Sequence, residues 1–202
     1  MTSKVIFIIS VSAIALMAKS AASYFSEGSV KANKGLYSES IEDFTKAIEL
    51  RPNDSYIYHK RGVSYSRIGD QAKAIEDLTR AIELNPHDSF AFTNRAMSYA
   101  RIQQYEKAIE DYTLAIGVYP SNALAYNYRG LAYRELGEHA KAIADFTKAI
   151  EINPSYAYAY NNRGETYGIM GNRISARQDA GKACKMGYCE YLTVMENEDN
   201  QR

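Results

Sequence analysis

The chain has 202 residues, 24 basic and 24 acidic side chains, and a hydrophobic share of 46%. That length fits one ordinary domain or one solenoid, and the hydrophobic share supports a real core. The balanced charge gives no long-range pull on nucleic acid or acidic lipid, and the few prolines and glycines exclude a disordered or collagen-like chain.

The N-terminus reads as a separate element. Lys4 precedes an apolar run over residues 5–18. A spanning helix needs about 20 apolar residues, whereas a secretory core segment needs about 7–15. Small residues follow at Ala18-Lys19-Ser20 and Ala21-Ala22-Ser23, and either triplet fits a signal-peptidase site. Residues 1–23 are therefore expected to be a signal peptide, leaving a periplasmic or secreted protein. Lys19 sits close to the cut, so the alternative is an uncleaved anchor through residues 5–18, the one way a membrane would be involved. A buried N-terminal helix is the third reading. No cysteine lies nearby to carry a lipid.

Beyond residue 20 the chain repeats. Ser40, Ala74, Ala108 and Ala142 open similar phrases 34 residues apart. The same step links Pro52, Pro86, Pro120 and Pro154, then Gly62, Ala96, Gly130 and Gly164, then Tyr65, Tyr99, Tyr133 and Tyr167. In the copy 55–88, Tyr58, Gly62 and Tyr65 share one face of a first helix, and Ala74, Leu78 and Ala81 share one face of a second. Gly62 and Ala74 are small where the helices must approach. Gly69-Asp70 breaks the chain between them, and Asn85-Pro86 ends the second helix. A lone hairpin cannot bury its apolar side, so neighbours must stack.

This period and these residues resemble the tetratricopeptide repeat. The resemblance implies an all-α fold: a right-handed α-solenoid of about five antiparallel helix-turn-helix repeats with a short C-terminal capping helix. The array occupies residues 24–190, in frames 21–54, 55–88, 89–122, 123–156 and 157–190. The end copies deviate, with Lys31 and Ser40 in the first and Ala180 and Tyr188 in the last, as expected of polar end faces. Residues from Tyr188 to about Met195 are expected to form the cap within the segment 191–202. The acidic residues from Glu196 onward read as a solvated tail. Arg61, Arg95, Arg129 and Arg163 are expected to pair with Asp77, Asp111, Asp145 and Asp179 and to fix helix register.

Signs of chemistry are few. His59, His87 and His139 lack metal-ligand spacing and read as surface or groove histidines, and no phosphate-loop, dinucleotide or nucleophile-elbow motif appears. No enzyme activity, cofactor or metal is expected. Cys184 and Cys189 are the only cysteines. They stand at the end of the last repeat and either form a disulfide there, remain free buried thiols, or act as a reactive or metal-binding pair.

The resemblance also implies that the first helices line a concave face. Position 2 of successive repeats gives Tyr56, Phe90, Leu124 and Tyr158, and position 5 gives His59, Thr93, Asn127 and Asn161. Position 6 gives Lys60, Asn94, Tyr128 and Asn162, and position 9 includes Met97. Aromatic anchors flanked by amides suit an extended peptide or a helix. The expected function is a scaffold or adaptor that holds a peptide or helix of another protein. The alternative is a structural, self-associating repeat protein of the cell envelope.

Overall fold

The computed structural model describes residues 19–200, with side-chain surroundings given through Asn197. The apolar run 5–18, and with it the signal or anchor reading, lies outside the described residues. Among the described residues there are eleven helices and no strand. They form two compact units, divided between Leu84 and Asn85. The first unit holds α1 (Ala21–Asn33), α2 (Tyr37–Leu50), α3 (Ser55–Arg67) and α4 (Gln71–Leu84). The second holds α5 (Ser89–Arg101), α6 (Tyr105–Val118), α7 (Ala123–Glu135), α8 (His139–Ile152), α9 (Ala157–Ile169), α10 (Arg173–Lys185) and α11 (Glu190–Asn200). Each unit stacks consecutive helix pairs, the packing of a tetratricopeptide solenoid.

The hairpins close where the sequence is small. A Cβ on Gly62 would lie 2.9 Å from Leu78 Cγ, and one on Gly130 would lie 2.7 Å from Phe146 Cε1. Bulky side chains fill the space around these approaches: Leu78, Tyr112 and Phe146 are almost wholly buried, each between two buried alanines of its own helix. The turns need left-handed backbone. Gly69 and Gly137 supply it without strain, whereas Gln103 adopts φ 59° at the equivalent point between α5 and α6. A non-glycine residue there costs about 1–2 kcal/mol.

The arginine–aspartate expectation holds within single hairpins. Arg61 Nε and Nη2 donate to the two carboxylate oxygens of Asp77 at 2.7 and 2.8 Å, and Arg95, Arg129 and Arg163 grip Asp111, Asp145 and Asp179 in the same way. The remaining nitrogen reaches the preceding hairpin: Arg61 Nη1 donates to Thr45, Arg129 to Thr113 and Arg163 to Thr147, all near 3 Å. One guanidinium thus ties three helices. The threonine recurs every 34 residues alongside the aspartate, and sequence reasoning overlooked it.

Two readings of the chain ends change. Lys31 and Ser40 do not form a polar outer face. The first repeat has Glu27 where the others have arginine, and Lys31 Nζ takes over Asp43 at 2.8 Å. Ser40 is fully buried, its hydroxyl 2.9 Å from that of Ser64. At the other end, helix α11 runs through Asn200, so the stretch read as a tail continues the cap. No glycine or proline interrupts Glu190–Asn200, and nothing local stops the helix. Ala180 leaves room that Met195 fills, with Tyr167, Tyr191 and Leu192 around it. The Tyr191 hydroxyl lies against Gly168, which has no side chain to obstruct it. A disulfide joins Cys184 to Cys189, at the junction of α10 and α11.

Replacing Arg95 by alanine would leave the Asp111 carboxylate, 4% exposed, without its counter-charge. We expect a loss of about 3 kcal/mol, seen as a lowered midpoint in thermal circular dichroism. An unchanged midpoint would show that the pair does not hold the hairpin.

Candidate protein-interaction surface

Within each unit the first helices of adjacent hairpins touch one another, α1 with α3, α5 with α7 and α7 with α9, whereas the second helices of adjacent hairpins do not. The first helices are thus the inner layer of each stack. Residues that leave the hairpin core on this layer line an inner face.

Position 2 supplies its apolar part. Tyr56 in the first unit is 49% exposed, and Phe90, Leu124 and Tyr158 in the second are 57%, 39% and 55% exposed. Among the described residues Phe90 and Leu124 have no ring or polar side-chain partner that would account for their character. Tyr158 packs on Tyr188 with tilted rings, centroids 4.8 Å apart, and Tyr56 packs on Phe25 at 5.5 Å. Lys60 lies over the Tyr56 ring, 5.0 Å from its centroid. Tyr128 stacks on Tyr112, and Met97 and Asn94 are half-buried beside the row.

Position 5 is different. His59, Thr93, Asn127 and Asn161 were expected in an open groove, but all four are buried. The reason is angular, since three residues turn a helix by about 300° and so bring position 5 round toward the next first helix. Asn122, which caps α7, donates from Nδ2 to Ser89 at 3.0 Å and to Thr93 at 3.3 Å. Asn162 Nδ2 donates to Asn127 Oδ1 at 3.0 Å, so position 6 of one hairpin closes on position 5 of the previous one. Asn161 Nδ2 donates to Glu165 at 2.6 Å, and Glu165 in turn holds Arg134 at 2.6 Å. The amides at 127, 161 and 162 are largely committed to the array itself. His59 is correspondingly a core histidine against Tyr56, while His87 is exposed.

Burial, with Tyr128 and Tyr158 nearby, pushes Tyr156 up to about 12. The hydrogen bond from its hydroxyl to Glu190 pushes Tyr188 up to about 12. Burial raises Tyr112 as well. These three side chains therefore offer rings and hydroxyls rather than phenolate charge. Among the described residues no group of acidic, histidine or cysteine side chains is arranged to hold a metal, and no helix is long and apolar enough to cross a membrane.

Comparison with known proteins agrees with this architecture. Profiles described as tetratricopeptide repeat match residues 21–54, 55–88, 78–110, 123–156 and 146–178. The chain belongs to the tetratricopeptide-repeat family. Among solved tetratricopeptide-like structures, MamA is 31% identical, with 79% of this chain and 94% of that chain covered and a TM-score of 0.72. MamA 41-end from Desulfovibrio magneticus RS-1 is 20% identical over 85% of this chain and 97% of that chain, with a TM-score of 0.76. YrrB, described as a tetratricopeptide protein with an unusual peptide-binding site, is 19% identical over 93% and 97%, with a TM-score of 0.71. No curated protein sequence matches the chain.

The Asn162–Asn127 bond gives a direct check on this division of labour. Asn162→Ala would leave Asn127 Oδ1 buried without a donor, and we expect a loss of about 1–3 kcal/mol in chemical denaturation. Full stability in that variant would return Asn162 to the set of residues free for a ligand.

Proposed function

We propose that this tetratricopeptide array is a protein-interaction scaffold that takes a peptide or a helix of a partner protein on its first-helix faces. One observation carries the reading. Apolar side chains recur at position 2, off the hairpin core, and remain exposed: Tyr56, Phe90, Leu124 and Tyr158. A core does not require them, and exposed apolar residues in register mark a docking surface. YrrB shares the fold and is described as having a peptide-binding site, and tetratricopeptide proteins in general serve as scaffolds rather than as catalysts. The amide contribution to binding is smaller than the sequence implied.

A second reading, self-association, has its own observation. Lys46, Arg80, Lys148 and Lys182 occupy one outward position of their second helices, but Leu114 stands there in α6, 49% exposed. Gly117 follows where Glu83 and Glu151 pair with the basic residue in other repeats. Val118 and Tyr119 extend this uncharged surface. A photo-reactive amino acid placed singly at Phe90, Leu124 or Leu114 in native cells separates the readings. We expect adducts with another protein from positions 90 and 124. Adducts with a second copy from 114, and none from 90 or 124, would transfer the function to self-association.

Export remains part of the proposal and rests on residues 4–23. Ser20 caps α1 by accepting from the Ser23 amide at 3.1 Å, and Ala21 is buried. A cut after Ser23 would remove the first turn of α1, whereas a cut after Ser20 removes only its cap and spares every helical residue. The mature chain is therefore expected to begin at Ala21, which N-terminal mass analysis of protein from its native cells would show. An intact residue 1 would favour the anchor.

A further inference from the structure

The first unit contains an open cleft of about 330 Å³ between α1 and α3. Its apolar walls are Phe25, Phe44, Tyr56 and Val63, and Lys60 and Arg67 stand on the α3 side. No carboxylate lines it. Lys60 and Arg67 have no ion-pair partner among the described residues, although acidic side chains are as common as basic ones in the chain. The fold does not demand cations at these two positions. The equivalent pairs in other repeats are Ser26 with Asn33, Asn94 with Arg101, Tyr128 with Glu135, and Asn162 with Ile169, so only the second repeat has a cation at both positions.

We infer that the α1–α3 cleft binds an acidic segment of a partner protein, with two carboxylate side chains flanking an apolar one. This deepens the scaffold reading above and rests on it. Lys60 and Arg67 are seven residues apart on one helix, about 10.5 Å along its axis. A peptide in the polyproline II conformation rises about 3.1 Å per residue with three residues per turn, so side chains i and i+3 share a face about 9 Å apart. Carboxylates at i and i+3 therefore match the two cations, and the apolar side chain between them meets the cleft wall at Val63, which lies between Lys60 and Arg67 on α3. Internal side chains suffice, so no free C-terminal carboxylate is needed. No repeat of the second unit has a lysine or arginine at both of these positions, so the charge preference belongs to the first unit.

The test is fluorescence anisotropy of the full chain with short acetylated and amidated peptides carrying Glu-x-x-Glu, Gln-x-x-Gln or Lys-x-x-Lys around a leucine. We expect the glutamate peptide to bind about tenfold more tightly than the glutamine peptide, with the difference shrinking in high salt. The double variant Lys60→Ala, Arg67→Ala should abolish that difference, and Lys60→Glu, Arg67→Glu should transfer the preference to the lysine peptide, with both variants checked for unchanged helical circular dichroism. Equal binding of glutamate and glutamine peptides would overturn this inference and leave the scaffold reading standing. So would a strict requirement for a free C-terminal carboxylate. Failure of every peptide, together with no adduct from positions 90 and 124, would overturn both.

Discussion

Each hairpin from the second to the fifth is held by a guanidinium seated between its two helices. The arginine leaves the first helix one residue before the small position, so the helices are already as close as their backbones allow when the charge meets its aspartate. Both carboxylate oxygens are used, and the geometry of the fork leaves little freedom in rotation or translation. The spare nitrogen then engages a threonine of the preceding hairpin wherever that hairpin lies in the same unit. Register within a hairpin and register between hairpins are therefore set by one side chain. In the first hairpin, where a glutamate replaces the arginine, a lysine one turn further along preserves the aspartate's counter-charge.

With register fixed in this way, the inner face follows. Position 2 points away from the guanidinium and remains open, while position 5 is carried against the neighbouring first helix and buried. Residues that look equivalent in a repeat alignment thus divide into two jobs. Phe90 and Leu124 stay exposed, whereas Asn127 and Asn162 are joined by a hydrogen bond. The same geometry isolates the first unit's cleft, whose cations stand on α3 opposite the wall supplied by α1.

Much of this was legible in the sequence because a repeat states each constraint several times. Gly62 and Gly130, the arginine and aspartate rows, and the turn glycines all recur at the same step, and the helices stand where that step put them. What could not be read was anything that depends on two neighbouring hairpins at once. The Asn122 link to Ser89 and Thr93 and the Asn162–Asn127 bond are contacts across the stack, and no single repeat reveals them. The extent of the cap was hidden for another reason. Its polar residues suit a helix as well as a tail, and the packing of Met195 and Tyr191 on the last hairpin decides between them.

That packing also finishes the last hairpin. Ala180 is small where other hairpins are bulky, and the space it leaves is taken by Met195 and its neighbours rather than by the first helix of another repeat. The apolar side that an earlier hairpin of the same unit hands to its successor is here sealed by the chain's own next helix.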